Sequence, residues 1–343
     1  MTTLKLPRLS LRLHGGQSAA TCVEIAKAAE AARLEGIWFA ENAFARGILP
    51  AAAACAVATQ KLRIGAGVFN PFSRHPTMMA MEIAALDELS GGRTSITIGS
   101  GIASQAAKIG HSAEKPVGVL RDSLVILRGL LRGETVDHSG VFSARNVKLD
   151  CPARADLPVY LAGRGDLSVK LAATHADGLT ISNMCSAGFS KRAAGILHET
   201  WDNAHRAARP AIIQYAPCAI DADRPRAIAT AKKAVGAMLP NYWSLAQKIP
   251  FAKMGLLLGT GLDEAEIAEA VRKLAGGADP VDALDERYTS AFSIAGTPDE
   301  CLAAAATYAA AGVTDLALTM SSQSPEREVA LLGTALAANG GSP

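Results

Sequence analysis

Residues 62–101 read LRIGAGVFNPFSRHPTMMAMEIAALDELSGGRTSITIGSG, and this stretch decides the fold. The run 62–68 is short, apolar and bounded by polar residues, which predicts a buried strand. Residues 75–89 place apolar side chains at helical spacing. The helix opens at Arg74-His75-Pro76, where proline suits the first turn, and stops at Gly91-Gly92. Residues 94–98 form a second apolar run. Strand, helix and strand in that order define a parallel βαβ unit.

The same alternation extends in both directions. Further strands are expected at 9–13, 36–40, 157–161, 179–182, 211–220 and 314–319, with helices at 18–34, about 48–59, 116–131, 167–175, 187–207, 297–311 and 325–337. A polar loop is expected after residue 101, and a helical stretch over about 224–276. The total is eight strands. A doubly wound open sheet is the competing architecture. The count of eight and the closing strand–helix pair favour an α/β fold of the TIM-like (β/α)8 barrel type. No linker rich in Pro, Gly or Ser divides the chain, so 1–343 reads as a single domain, with an insertion over about 221–296 before the last strand.

Composition narrows the function. Of 343 residues, 49% are hydrophobic and 19% charged, which suits a large core and excludes wholesale disorder. The net charge of +2 excludes the strongly basic footprint of a nucleic-acid binder. No basic run exceeds two residues, which argues against a polybasic membrane patch. There is no apolar h-region near the N-terminus and no long uncharged apolar stretch, so neither a signal peptide nor a membrane span is expected. Six cysteines stand scattered and without CxxC, which reads as reduced thiols in a cytoplasmic protein.

In parallel α/β folds, ligands sit at the carboxyl ends of the strands. Those ends are Ala40-Glu41-Asn42, the run Gly65 to Asn70, Gly99-Ser100-Gly101, Ala162-Gly163-Arg164-Gly165 and Ser182-Asn183. Three of the five contain GxG, where the missing Cβ admits a flat ring or a phosphate close to the backbone. Gly163-Arg164-Gly165 also opens a helix, adding N–H groups, the helix dipole and a guanidinium. Each GxG read alone is only a tight turn. Glu41, beside aromatics at a strand end, reads equally as a proton-transfer group or a hydrogen-bonded structural acid. Asp87, Ser90 and Arg93 stand at a helix end and read as turn-fixing residues, and His75 as a cap. The GxGxxG, P-loop, GxSxG and HExxH motifs are absent, and no histidine pattern supports a metal site.

The segment 65–101 resembles the signature of the luciferase-like flavin and deazaflavin oxidoreductases, and more narrowly their methylenetetrahydromethanopterin reductase branch. FAEN at 39–42, KPVGVLRDSLVILRGLLRGE at 115–134, PVYLAGRG at 158–165, ADGLTISN at 176–183 and GTPDECLAAAATYAAAGVTDLAL at 296–318 carry the likeness along the chain. The resemblance implies a TIM-like barrel, usually a homodimer, that binds coenzyme F-420 or FMN at its carboxyl end. It implies that Gly67-Val68 forms a bulge behind the ring, often with a non-proline cis peptide. Glu41, as the catalytic candidate, and Asn42 would edge the ring. Gly99, Ser100 and Gly101, with Asn70, would line the cofactor's path. Ala162, Gly163, Arg164 and Gly165 would hold the phosphate, with Ser182 and Asn183 nearby. The chain departs from the reductase pattern at Leu11-Arg12-Leu13 and Ile102-Ala103, where an acid is usual, and at Glu41-Asn42, where many F-420 enzymes carry histidine.

The expected function is F-420-dependent hydride transfer to or from a small organic substrate. An FMNH2/O2-dependent monooxygenase on the same fold is the alternative, and a cofactor-binding protein without turnover is the reading from another class. The apolar helices over 48–59 and 75–89 are expected to bury part of their surface between two subunits.

Overall fold

The computed structural model describes residues 3–111 and 114–340. Eight parallel strands run β1 Arg8–His14, β2 Gly36–Ala40, β3 Arg63–Phe69, β4 Thr94–Ile98, β5 Val159–Ala162, β6 Gly178–Ile181, β7 Ala211–Ile220 and β8 Asp315–Met320. Each pairs with the next, and β8 returns to β1, with Arg8 opposite Asp315, so the sheet closes. The closed barrel is therefore the observed form, and the open sheet is excluded. Helices α1 Ala19–Ala31, α2 Ile48–Ala58, α3 Pro76–Leu89, α4 Pro116–Leu131, α5 Asp166–His175 and α6 Ala187–Asn203 follow the first six strands.

Strand parity explains the layering. Leu9, Leu11, Leu13, Ile37, Phe39, Ile96, Ile98, Leu316 and Leu318 point outward into the main core beneath the helices. The alternate positions point into the barrel, where Trp38, Tyr160, Ile213, Tyr215 and Ala317 form a separate cluster. Asp315 closes the amino end, 3.2 Å from Arg63 and 3.8 Å from Arg8. The turn-fixing reading of Asp87, Ser90 and Arg93 holds. Arg93, just before β4, donates to the carbonyls of Ser90, Leu62, Ala56 and Thr59 at 2.6–3.0 Å. His75 caps α3 by accepting from the N–H of Thr77.

Three expectations need correction, and one segment that carried no expectation is structured. The helical stretch 224–276 is three helices: α7 Arg224–Ala246, α8 Pro250–Leu257 and α9 Glu264–Ala275. Breaks fall before Pro250 and at Gly259 and Gly261, which both take positive φ, and Asp263 opens α9 with a capping box. The insertion does not stay wholly outside the sheet, because Ile294–Gly296 adds a ninth strand against the end of β7. The loop after Gly101 contains a short helix, Ala103–Lys108. The region after α4 forms an antiparallel hairpin, Val136–His138 with Ala144–Val147. Helices α10 Glu286–Phe292, α11 Pro298–Ala310 and α12 Pro325–Ala338 complete the labelled set. The insertion carries its own apolar cluster around Val235, Leu239, Leu256, Ile267 and Phe292, joined to the barrel by Met184.

Candidate active site at the carboxyl end of the barrel

The β3 end is irregular where the family resemblance implies a ring-backing bulge. The register with β4 shifts between Ala66 and Phe69, and Gly67-Val68 is a non-proline cis peptide. Gly67 takes φ +143°, and a Cβ there would stand 2.2 Å from the Thr97 carbonyl, so only glycine fits. Val68 turns inward and packs on the interior aromatic cluster. Gly99 and Ala162 lie against it, since a Cβ on Gly99 would meet Val68 Cγ1 at 2.6 Å and Ala162 Cβ at 3.1 Å. The Glu41 N–H donates to the Gly67 carbonyl at 3.1 Å. Glu41, Gly67, Val68, Gly99 and Ala162 thus form one continuous surface across strands β2 to β5.

Glu41 sits at the rim of this surface. Its Oε1 is 3.4 Å from Arg74 Nη2, and Arg74 also binds Glu82 and lies 4.9 Å over the Phe69 ring. Burial pushes the Glu41 carboxyl above the ordinary range, Arg74 opposes the shift and Glu82 adds to it. A carboxyl so placed can exchange a proton nearer neutrality than a solvated one. Asn70 and Gly101 meet one strand further on, where a Cβ on Gly101 would reach Asn70 Nδ2 at 2.7 Å. Asn42 and Gly101 are exposed and Ser100 half-buried, so these three stand outside the packed surface.

The second group lies across the mouth. Arg164 donates through Nε and Nη2 to Ser182 Oγ at 2.9 and 2.6 Å, and through Nη2 to the Asn183 carbonyl at 2.6 Å. Its guanidinium stacks 4.8 Å from the Tyr242 ring of α7. Arg164 is therefore neither solvated nor turned away. Gly165 is the N-cap of α5 and makes no side-chain cap bond. Helix α8 covers this loop: a Cβ on Gly165 would reach the Phe251 ring at 3.1 Å, and one on Gly255 would stand 3.7 Å from Arg164 Nη1. The same helix lines a cavity of about 650 Å³ with Lys253, Met254 and Leu257.

Buried polar atoms without partners gather at this end. They are Arg164 Nη1 and Asn183 Oδ1, and Arg12 Nε and the Tyr215 hydroxyl are likewise buried and unpartnered inside the barrel. Sequence reading missed Arg12, Arg74, Tyr215 and Tyr242. Arg12 had a legible signal, because a charged residue alternating with Leu9, Leu11 and Leu13 has to face the barrel interior. Arg74 and Tyr242 had none, since their partners Glu41 and Arg164 are 33 and 78 positions away (74 − 41 and 242 − 164). Among the described residues no three His, Cys, Asp or Glu side chains gather as a metal site, and no helix is long and apolar enough to cross a membrane.

A closed parallel barrel with functional groups on its carboxyl-end loops defines a (β/α)8 protein of the ligand-binding kind. The chain belongs to the family described as luciferase-like monooxygenase, whose profile matches residues 1–315. It is 28% identical over 286 residues to 5,10-methylenetetrahydromethanopterin reductase of Methanolobus tindarius, covering 81% of this chain and 83% of that one. It is 30% identical over 182 residues to an F-420-dependent glucose-6-phosphate dehydrogenase of Tsukamurella paurometabola, 48% of this chain and 53% of the other. In three dimensions it is similar to the coenzyme F-420-dependent tetrahydromethanopterin reductase of Methanopyrus kandleri, with a TM-score of 0.82 at 22% identity, over 96% and 98% of the two chains.

Proposed function

We propose that the protein is an oxidoreductase that binds coenzyme F-420 at the carboxyl mouth of the barrel and exchanges a hydride with a small organic substrate. The observation that carries this reading is the pair of buried, unpartnered atoms Arg164 Nη1 and Asn183 Oδ1, across the mouth from the Val68 bulge. Buried polar atoms are ordinarily satisfied, so a polar group of a ligand is what this mouth lacks. The relatives above favour F-420 as that ligand.

The residues present fit the group. Gly67, Val68, Gly99 and Ala162 offer a smooth wall for a flat ring, edged by Glu41 and Asn42. Arg164 and the N–H groups opening α5 would hold a phosphate. Ser182, Asn183, Asn70, Ser100 and Gly101 would meet the hydroxylated chain between the two. When bound, the deazaflavin supplies a two-electron carbon centre at C5 that gives or takes a hydride. Trp38, Tyr160 and Tyr215 seal the floor beneath the mouth and exclude water from the barrel. Glu41, oriented by Arg74, holds or moves a proton at the ring edge.

The whole chain acts as one catalytic domain in this reading, located in the cytoplasm. It pairs through the face bearing Val57, Met78 and Met81, which are 63%, 49% and 49% exposed. Met79 and Ile83 of the same helix are fully buried and belong to the core instead.

The test is to mix purified protein with F-420 and with FMN and measure fluorescence quenching and retained absorbance. Retention of F-420 supports the proposal. Retention of FMN alone moves the protein to the monooxygenase reading, and retention of neither removes both.

A further inference from the structure

Arg12 is the residue that the proposed reaction leaves unused. It lies two positions before the end of β1, beside Trp38 of β2 in register. Strand parity turns it into the barrel. Its Nη1 donates to Thr319 Oγ1 at 3.2 Å, and its guanidinium carbon stands 5.1 Å from the Tyr215 ring centroid. Among the described residues no carboxylate pairs with it. The Tyr215 hydroxyl is also buried and has no partner.

The hydrogen-bond pattern is directional. Thr319 uses Nη1, at one corner of the guanidinium. The opposite edge, formed by Nε and Nη2, donates to nothing among the described residues, and Nε is fully buried. That edge presents two parallel N–H groups, the fork that receives a planar carboxylate. A buried cation without an anion is unfavourable unless a ligand completes the pair.

Arg12 is also on a different strand from the phosphate loop. In the ring of eight strands β1 and β5 are four steps apart, so Arg12 and Arg164 stand on opposite walls of the mouth. Tyr242 reaches into the mouth from the insertion and stacks on Arg164. One bound cofactor phosphate would engage Arg164 and leave the opposite fork free.

We infer that Arg12, whose guanidinium lies over the Tyr215 ring, is a substrate-binding residue, and that the substrate is a small organic anion whose carboxylate docks on the Nε–Nη2 edge. The inference rests on the hydride-transfer reading and supplies the substrate class which that reading leaves open. The packed rings of Trp38 and Tyr215, with centroids 6.5 Å apart, would lie beneath the apolar part of such a molecule.

The test uses calorimetry on the protein with and without F-420. Acetate and benzoate are titrated against their neutral isosteres acetamide and benzamide. Each carboxylate is expected to bind wild type roughly 10- to 150-fold more tightly than its amide, the range for a charge-assisted hydrogen-bonded pair. Arg12→Met is expected to erase that preference and Arg12→Lys to keep part of it, with circular dichroism unchanged in both. The affinity of both variants for F-420 is expected to stay within about twofold of wild type, because the cofactor's charge is held across the mouth. Three results overturn the inference: no carboxylate preference in wild type, a preference that survives Arg12→Met, or a loss of F-420 affinity in Arg12→Met, which would make the cofactor the anion at this fork. Failure of the functional reading looks different, with no F-420 bound by wild type while the unloaded protein keeps its Arg12-dependent carboxylate preference.

Discussion

Arg74 holds its Nη2 3.4 Å from Oε1 of Glu41 while its other nitrogen binds Glu82, so one cation serves two carboxylates at the mouth. Burial nonetheless leaves Glu41 with a raised pKa. Arg74→Met removes the opposing charge, and the Glu41 pKa is expected to rise further. Carboxyl carbon NMR titration of Glu41 measures this, and a rate limb that depends on its proton should move to higher pH. The stability consequence has a definite sign. A group whose pKa is raised by folding contributes most below its unfolded value and loses that contribution as pH rises through its folded value. The melting temperature of Glu41→Gln relative to wild type should therefore increase from pH 4 to pH 7, and a flat difference would show that Glu41 titrates as if unfolded. Glu41→Gln is also expected to lower the rate while leaving cofactor affinity nearly intact.

Arg93 is a different kind of arginine. It binds four main-chain carbonyls between α2, α3 and the start of β4, at the end of the barrel away from the proposed site. Arg93→Ala is expected to destabilise the fold by about 2–4 kcal/mol, since hydrogen bonds to a charged donor are worth roughly 1.5–3 kcal/mol each and are not additive. Urea unfolding should show a lower midpoint with an unchanged slope. Cofactor affinity measured under native conditions should not change.

Most of the barrel was legible because its strands are buried on both faces and bounded by Gly, Pro and polar residues. The runs 36–40, 94–98 and 211–220 match the strands residue for residue. What escaped depends on tertiary contact. The strand Ile294–Gly296 has three residues and exists only through its pairing with Cys218, Ala219 and Ile220. The hairpin after α4 is too short and polar to show an alternating pattern. At the site, backbone-defined features such as Gly67, Gly99 and Gly163 announced themselves through glycine spacing. Arg74 and Tyr242 did not, because a side chain that acts on a residue distant in sequence leaves no local signature.

Two glycines give a matched test of close packing. Gly178 in β6 would place a Cβ 2.1 Å from the Ala211 carbonyl of its paired strand. Gly195 in α6 is exposed and has nothing within 4 Å. Gly178→Ala is expected to destabilise by about 3 kcal/mol, at the upper end for overpacking. Gly195→Ala is expected to stabilise by about 0.5–1 kcal/mol, because alanine loses less backbone entropy in a helix. Chemical denaturation of both variants measures the contrast, and equal effects would mean that the strand pairing at Ala211 yields freely.

The proposed subunit face makes a prediction of its own. Met78 and Met81 lie on the exposed side of α3, and Val57 is exposed on the preceding helix α2. Replacing both methionines with glutamate puts two carboxylates into an apolar interface, which removing them from water strongly disfavours. Light scattering at micromolar concentration should report a dimer for wild type and a monomer for the double variant. A monomeric wild type would mean that these side chains are ordinary exposed hydrophobics.

The last prediction concerns Arg164, which has structural partners as well as a proposed ligand. Three of its hydrogen bonds go to Ser182 and Asn183, its face rests on Tyr242, and its Nη1 is buried without an acceptor. A purely structural arginine would have that last nitrogen satisfied, since an unmet donor in a buried place is unfavourable. Arg164→Ala is expected to weaken F-420 binding about 10- to 150-fold, corresponding to roughly 1.5–3 kcal/mol for a charge-assisted bond to phosphate. Ser182→Ala separates the two roles. It removes only the hydroxyl that accepts from Nε and Nη2, so it should loosen the arginine and weaken binding by less than Arg164→Ala does. Fluorescence titration of F-420 into wild type and both variants measures the series, with the melting temperature of each as a control for folding. If Arg164→Ala lowers the melting temperature but leaves the dissociation constant unchanged, Arg164 only braces the loop, and the phosphate is held by other groups.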